Sequence, residues 1–123
     1  MIYFASRTGN VRSIIGRLSL PHAEIQRHTV VQEPFLLFTY TDGLGEVPEL
    51  VSGFMERNSE LCKGIIVSGN RNYGHALFAL AGDKLNEQYS IPIVCKMDLR
   101  GKETDDEQIQ KYYERVIRNE NLS

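Results

Sequence analysis

Little in this chain invites metal, disulfide or membrane chemistry. Its 123 residues include only two cysteines, Cys62 and Cys95. The 32 residues between them match neither a zinc-ligand spacing nor a Cys-x-x-Cys redox pair. Each lies in an apolar run, Leu61-Cys62 and Ile93-Val94-Cys95, so both read as buried, inert thiols. The three histidines, His22, His28 and His75, are scattered and read as surface residues, and no metal site is expected. No stretch approaches the ~20 apolar residues that a membrane-spanning helix needs. No basic leader precedes an apolar run at Met1-Ile2-Tyr3-Phe4, so a soluble, cytoplasmic protein is expected. Charge of one sign is also lacking. The formal net charge is −2 and the isoelectric point is near 5.9, which gives no reason to expect a nucleic-acid partner. Internal repeats and low-complexity segments are absent.

What is present is an ordinary globular composition, 41% hydrophobic and 24% charged, at the length of one domain spanning residues 1–123. Disorder is expected only over Asn119 to Ser123. Ile2 to Ala5 reads as a short buried strand. Val11, Ile14, Ile15 and Leu18 follow at helical spacing, and Leu20-Pro21 ends that helix. Glu24 to Arg27 is a weak edge-strand candidate. Phe35 to Thr39 is the strongest strand and lacks polar alternation, as a strand covered on both faces should. Pro48 fits the first turn of a helix carrying Leu50, Val51, Phe54 and Met55. Gly64 to Val67 is another buried strand. A helix through Leu77, Leu80, Ala81 and Leu85 follows, then a strand from Ile91 to Cys95. Thr104 or Asp105 is placed to cap a last helix carrying Ile109, Tyr112, Tyr113, Val116 and Ile117. Strands alternating with helices imply a parallel sheet with helices on both faces, with little or no helix between the second and third strands.

Three polar loops then fall at the carboxyl ends of strands, where open α/β sheets hold ligands. Ser6-Arg7-Thr8-Gly9-Asn10 joins the first strand to a helix. It offers hydroxyls, an amide, a turn-permitting glycine and a helix start, which suits an anion such as a terminal phosphate. A plain N-cap and turn is the alternative on this loop alone. Glycine-lysine and G-x-G-x-x-G spacings are missing, which excludes a Walker A loop and a Rossmann fingerprint. Thr39-Tyr40-Thr41-Asp42-Gly43-Leu44-Gly45 places two glycines where a flat ring can approach the backbone, and its Gly43–Leu44 peptide is free to flip. Ser68-Gly69-Asn70-Arg71-Asn72-Tyr73-Gly74 is the densest polar run. Tyr73 is its natural stacking residue, and the chain has no tryptophan to compete for that role.

Taken together, these residues resemble the NrdI family of small flavodoxins. The most specific stretch is Val67 to Gly74, followed by Ala81-Gly82-Asp83. Ser6-x-Thr8-Gly9-Asn10, Gly43-x-Gly45-x-Val47-Pro48, Val94 to Leu99 and Gly101 support it. The resemblance implies a flavodoxin-like three-layer sandwich, with a five-stranded parallel sheet of order 2-1-3-4-5, and bound FMN. It implies that Ser6, Arg7, Thr8, Gly9, Asn10 and Val11 hold the phosphate. Thr39, Tyr40, Thr41, Asp42, Gly43, Leu44 and Gly45 would line the ring near N5, with the Gly43–Leu44 peptide as a redox-responsive contact. Ser68, Gly69, Asn70, Asn72, Tyr73 and Gly74 would hold the pyrimidine side, with Leu99 alongside. The implied partners are the small subunit of class Ib ribonucleotide reductase, a flavin reductant and O2. Reduced flavin would react with O2 and supply the oxidant that assembles a dimanganese-tyrosyl radical cofactor there. The chemistry would lie on the flavin rather than on a catalytic side chain. A general one-electron-carrier flavodoxin and a cofactor-free interaction domain are the alternatives. Two departures stand out: Val11 replaces a hydroxyl residue found in many flavodoxins, and the Asp42–Glu46 loop is short. Arg7, Arg71 and Arg100, set against Asp42 and Glu46, are expected to ease the penalty on an anionic reduced flavin and to bring the two reduction steps closer in potential.

Overall fold

The structure, a computed structural model, describes residues 1–7, 9–74 and 76–119. Five parallel strands form one sheet in the order β2-β1-β3-β4-β5. They are β1 (Ile2–Phe4), β2 (His22–Glu24), β3 (Phe35–Tyr40), β4 (Cys62–Gly69) and β5 (Ile93–Asp98). The four α-helices among the described residues are α1 (Asn10–Leu18), α2 (Glu49–Asn58), α3 (Leu80–Tyr89) and α4 (Glu103–Tyr112). The last continues as a π-helical segment, Tyr113–Arg118.

Two apolar layers hold the sheet between the helices. On one face Val11, Ile14, Ile15 and Leu18 of α1 pack with Ile109, Tyr113 and Ile117 against Ile2, Leu36, Phe38 and Ile66. On the other, Val51, Phe54 and Met55 of α2 and Leu85 of α3 pack against Phe35, Leu37 and Ile65. The alternation Leu36/Leu37 and Ile65/Ile66 divides each central strand between the layers, which explains why these strands are apolar throughout. The three-layer flavodoxin-like arrangement is therefore present.

Several boundaries differ from the sequence expectation. The edge strand β2 lies at His22–Glu24 rather than 24–27, because its register is set by pairing with β1, Ile2 opposite His22 and Phe4 opposite Glu24. A turn closed by Thr29 N–H to Gln26 O at 3.1 Å ends it. No helix spans the β2–β3 connection; Asn58 anchors it instead. Its amide donates to Thr29 O at 3.1 Å, and its Oδ1 accepts from Val31 N–H at 2.8 Å. Strand β4 runs on through Ser68 and Gly69, which pair with Met97 and Asp98 of β5. Helix α3 begins at Leu80, not Leu77, since Ala79 has φ 51° and interrupts the helical run. Pro48 is the N-cap of α2, and Leu50 points outward at 41% exposure. Lys102, not Thr104 or Asp105, is the N-cap of α4; Asp105 Oδ2 accepts from the Lys102 N–H at 3.0 Å. No helix among the described residues is long and apolar enough to cross a membrane.

Candidate functional site

The sheet order reverses between β1 and β3, and the loops leaving these two strands diverge to opposite faces. A cleft of about 220 Å³ opens beside that point, between the carboxyl ends of β1, β3, β4 and β5. Arg7 and Asn10 form one wall. Tyr40, Thr41 and Gly43 form the second, and Ser68, Gly69, Asn70 and Tyr73 the third, with Leu99, just past β5, and Leu77 closing it. A wider groove of about 760 Å³ lies where α1 ends against α4, lined among others by Leu18, Lys111 and Arg115. It is at the amino end of the sheet, away from where doubly wound sheets hold ligands.

The first loop delivers α1 with an uncapped start. Gly9 is the N-cap at φ 91° and has no side chain with which to cap the first-turn amides of this nine-residue helix. The Ser6 hydroxyl is buried and has no hydrogen-bond partner. Thr8 lies outside the described residues. Val11 is 1% exposed and packs in the core beneath α1, as its helical spacing implies, which leaves its main-chain amide for a ligand.

The second loop is tightly pinned. Asp42 N–H donates to Glu46 O at 2.8 Å, and Glu46 N–H returns to Asp42 O at 2.7 Å. Gly43 (φ 45°) and Gly45 (φ 98°) take up the bend; a Cβ on Gly45 would lie 2.6 Å from Leu80 Cδ2. Leu44 is 72% exposed at the tip. Thr39 departs from the expected role, since it is fully buried and its hydroxyl donates to Tyr40 O at 2.9 Å. The Thr41 Oγ1, in the cleft lining, is likewise buried and unpartnered. Burial pushes the Tyr40 phenol above its ordinary pKa, and Asp42 adds to this while Arg7 opposes it, so the ring stays protonated at neutral pH.

In the third loop Asn70 organises a single 3₁₀ turn over Arg71–Tyr73. Its Oδ1 accepts from Asn72 N–H at 2.9 Å and its carbonyl from Tyr73 N–H at 3.1 Å. Gly74 (φ 92°) ends the turn. Asn72 is exposed and lies outside the cleft lining, while Tyr73 stands at its mouth with 62% of its surface exposed. Leu44, Tyr73 and Leu99 are three of the five large apolar side chains that the described residues expose. Tyr73 and Leu99 line the one cleft although they come from separate loops, and Leu44 follows the lining Gly43, which is how an apolar planar ligand would be flanked.

The arginine-rich edge does not form as expected. Arg7 lines the cleft, but its Nη1 pairs with Asp42 Oδ1 at 2.6 Å and its guanidinium lies 5.4 Å from the Tyr40 ring centre. Arg71 turns away. Its N–H donates to Asp98 Oδ1 at 3.1 Å and its guanidinium stacks on Phe78 at 4.4 Å. Arg100 is exposed, outside the cleft lining. Neighbouring carboxylates thus balance the cations, leaving a rim near neutrality. Leu77 is the lining residue that sequence reasoning missed; its apolar character reads equally well as the first turn of α3. His22 and His28 are exposed, and His75 lies outside the described residues.

A family model described as NrdI flavodoxin-like matches residues 2–111. The chain is 38% identical over 117 residues to the protein NrdI of Bacillus licheniformis, covering 94% of this chain and 88% of that one. The chain belongs to the NrdI flavodoxin-like family. A short-chain flavodoxin associated with a bacterial microcompartment superposes with a TM-score of 0.70 at 21% identity, over 96% of this chain and 95% of that one, a likeness of fold. For an NrdI flavodoxin-like chain, a cleft at the β1/β3 divergence is the place where a flavin would bind, and the unpaired Thr41 hydroxyl in its lining fits a ligand rich in oxygen and nitrogen.

Proposed function

We propose that the cleft binds FMN and that the protein, acting as one unit over residues 1–123, is a cytoplasmic redox activator of a class Ib ribonucleotide reductase small subunit. The observation that carries the flavin reading is the buried, unpaired Thr41 Oγ1 in the lining of a cleft flanked by Tyr40, Tyr73 and Leu99, with a second unpaired hydroxyl, Ser6 Oγ, on the residue before the lining Arg7. A buried hydroxyl without a partner costs about 1–3 kcal/mol, so one in the cleft lining argues for a ligand that completes it.

The Ser6 hydroxyl and the amides that begin α1 would hold the phosphate; Thr8 belongs to the same run of sequence. Asn70, through the turn it organises, would set the height of Tyr73 over the ring. Leu44, Tyr73 and Leu99 would exclude water from its faces. FMN, when bound, supplies one- and two-electron chemistry and reacts with O2 once reduced. The oxidant would pass to the dimanganese site of the reductase subunit, and a separate reductant would recharge the flavin. The near-neutral rim imposes little Coulomb penalty on a negatively charged flavin, which suits two-electron reduction.

Anaerobic reductive titration of the FMN-loaded protein tests this, followed by admission of air. Bleaching with little long-wavelength absorbance, then rapid return of the visible bands, supports the activator. A long-wavelength band that grows to near completion favours a one-electron carrier instead. Failure to take up FMN favours a cofactor-free interaction domain.

A further inference from the structure

Two turns at the cleft share one backbone pattern but use different residues. In Asp42–Gly45 the Gly45 N–H donates to Asp42 O at 3.0 Å and the second residue, Gly43, has φ 45°. In Asp98–Gly101 the Gly101 N–H donates to Asp98 O at 2.9 Å and the second residue, Leu99, has φ 54°. In each, the third residue is not among those with positive φ. These are the φ signs of a type II′ turn, whose second position ordinarily takes glycine. The first turn obeys that preference, and the second puts a leucine there.

Leu99 is held in this conformation from both sides. Its N–H donates to Gly69 O at 2.7 Å, and its carbonyl accepts from Ser68 Oγ at 2.7 Å. Ser68 is 3% exposed. Gly69 is in turn pressed against the next loop, since a Cβ there would lie 2.7 Å from Ala79 N. The strained backbone carries a side chain that lines the cleft. Glycine would relieve the turn but remove that side chain.

We propose that Ser68 is a positioning residue whose hydroxyl does not itself bond to the ligand. Its hydroxyl acts through the main chain of Leu99, fixing the leucine side chain as an apolar wall against the flavin ring. This rests on the FMN reading, and it reassigns Ser68 from the cofactor contact expected from sequence.

A double-mutant cycle on the full chain separates the two roles. FMN affinity is measured by flavin fluorescence for the wild type, Ser68→Ala, Leu99→Gly and the double variant. Hydrogen exchange at the Leu99 amide is followed in the FMN-free wild type and Ser68→Ala proteins. Ser68→Ala is expected to weaken FMN roughly tenfold in the Leu99 background, because the turn can relax. In the Leu99→Gly background it should cost less than about twofold, because glycine holds positive φ unaided and no wall remains to position. Leu99 amide exchange should quicken in Ser68→Ala. An equal loss of affinity in both backgrounds, or unchanged exchange, overturns the assignment while leaving FMN binding intact. A wild-type protein that takes up no FMN overturns the flavin reading and this assignment with it. If Ser68→Ala does not fold, the cycle run with Ser68→Cys, a weaker donor, is read in the same way.

Discussion

Replacing Thr41 with valine should move stability and flavin affinity in opposite directions. The Thr41 Oγ1 is buried without a partner in the ligand-free protein. The residue's main chain is already committed, its N–H donating to Ser68 O at 3.0 Å. Valine keeps the branched shape and removes the orphaned oxygen, relieving a penalty of about 1–3 kcal/mol. For a chain of this size each kcal/mol corresponds to about 3–6 °C in melting temperature. The ligand-free variant should therefore melt at least about 3 °C above the wild type by differential scanning calorimetry. With FMN the hydroxyl gains its partner in the wild type alone, so Thr41→Val should bind roughly 2- to 12-fold more weakly, the worth of one neutral hydrogen bond. A variant that melts lower and binds FMN as well as the wild type would refute the view that this hydroxyl is kept for a ligand.

Three further outcomes follow from the packing. Gly69→Ala should lower stability by about 1–3 kcal/mol, since its Cβ would meet Ala79 backbone at 2.7 Å, whereas Gly16→Ala, with nothing within 4 Å in mid-helix, should raise it by roughly 0.5–1 kcal/mol; calorimetry on both checks the opposite signs. Asn58→Ala should lower the urea unfolding free energy by roughly 1–3 kcal/mol, because the buried Val31 N–H loses its acceptor at 2.8 Å. Burial pushes the Cys62 thiol up to about 11 and the Cys95 thiol up to about 12, the latter with help from Asp105. The unfolded thiols ionise near 9, so the native state holds more protons between that pH and the raised values. The stabilisation they lend is therefore complete below pH 9 and is lost as pH rises through 11–12, at up to about 1.4 kcal/mol per pH unit per thiol. Urea midpoints that fall above pH 9 in the wild type, and fall less in a Cys62→Ala/Cys95→Ala variant, would show it.

The central strands and the helix α1 were legible because their residues have one job. Phe35–Tyr40 and Cys62–Gly69 are buried on both faces, and continuous apolar runs say so directly. Positions set by tertiary pairing were not legible. Strand β2 takes its place from β1 rather than from its own weak pattern, and Ser68-Gly69 reads as a turn until β5 pairs with it. At the site, the three loops could be read from composition and from their place after strands, but the direction of each side chain could not. Thr39 spends its hydroxyl on a carbonyl, and Arg71 is drawn to Asp98 and Phe78. Each depends on partners distant in sequence. The positive φ of Leu99 has no local signal at all, since leucine is the residue that least announces it.

Titration of the purified full chain with FMN, followed by flavin fluorescence and the visible absorbance bands, tests the central claim most directly. Saturation at one FMN per chain with perturbed flavin bands, its midpoint shifted to higher FMN in Ser6→Ala/Thr41→Val, is the expected result. A protein that leaves the flavin spectrum unchanged at every concentration, with both hydroxyls intact, would contradict it.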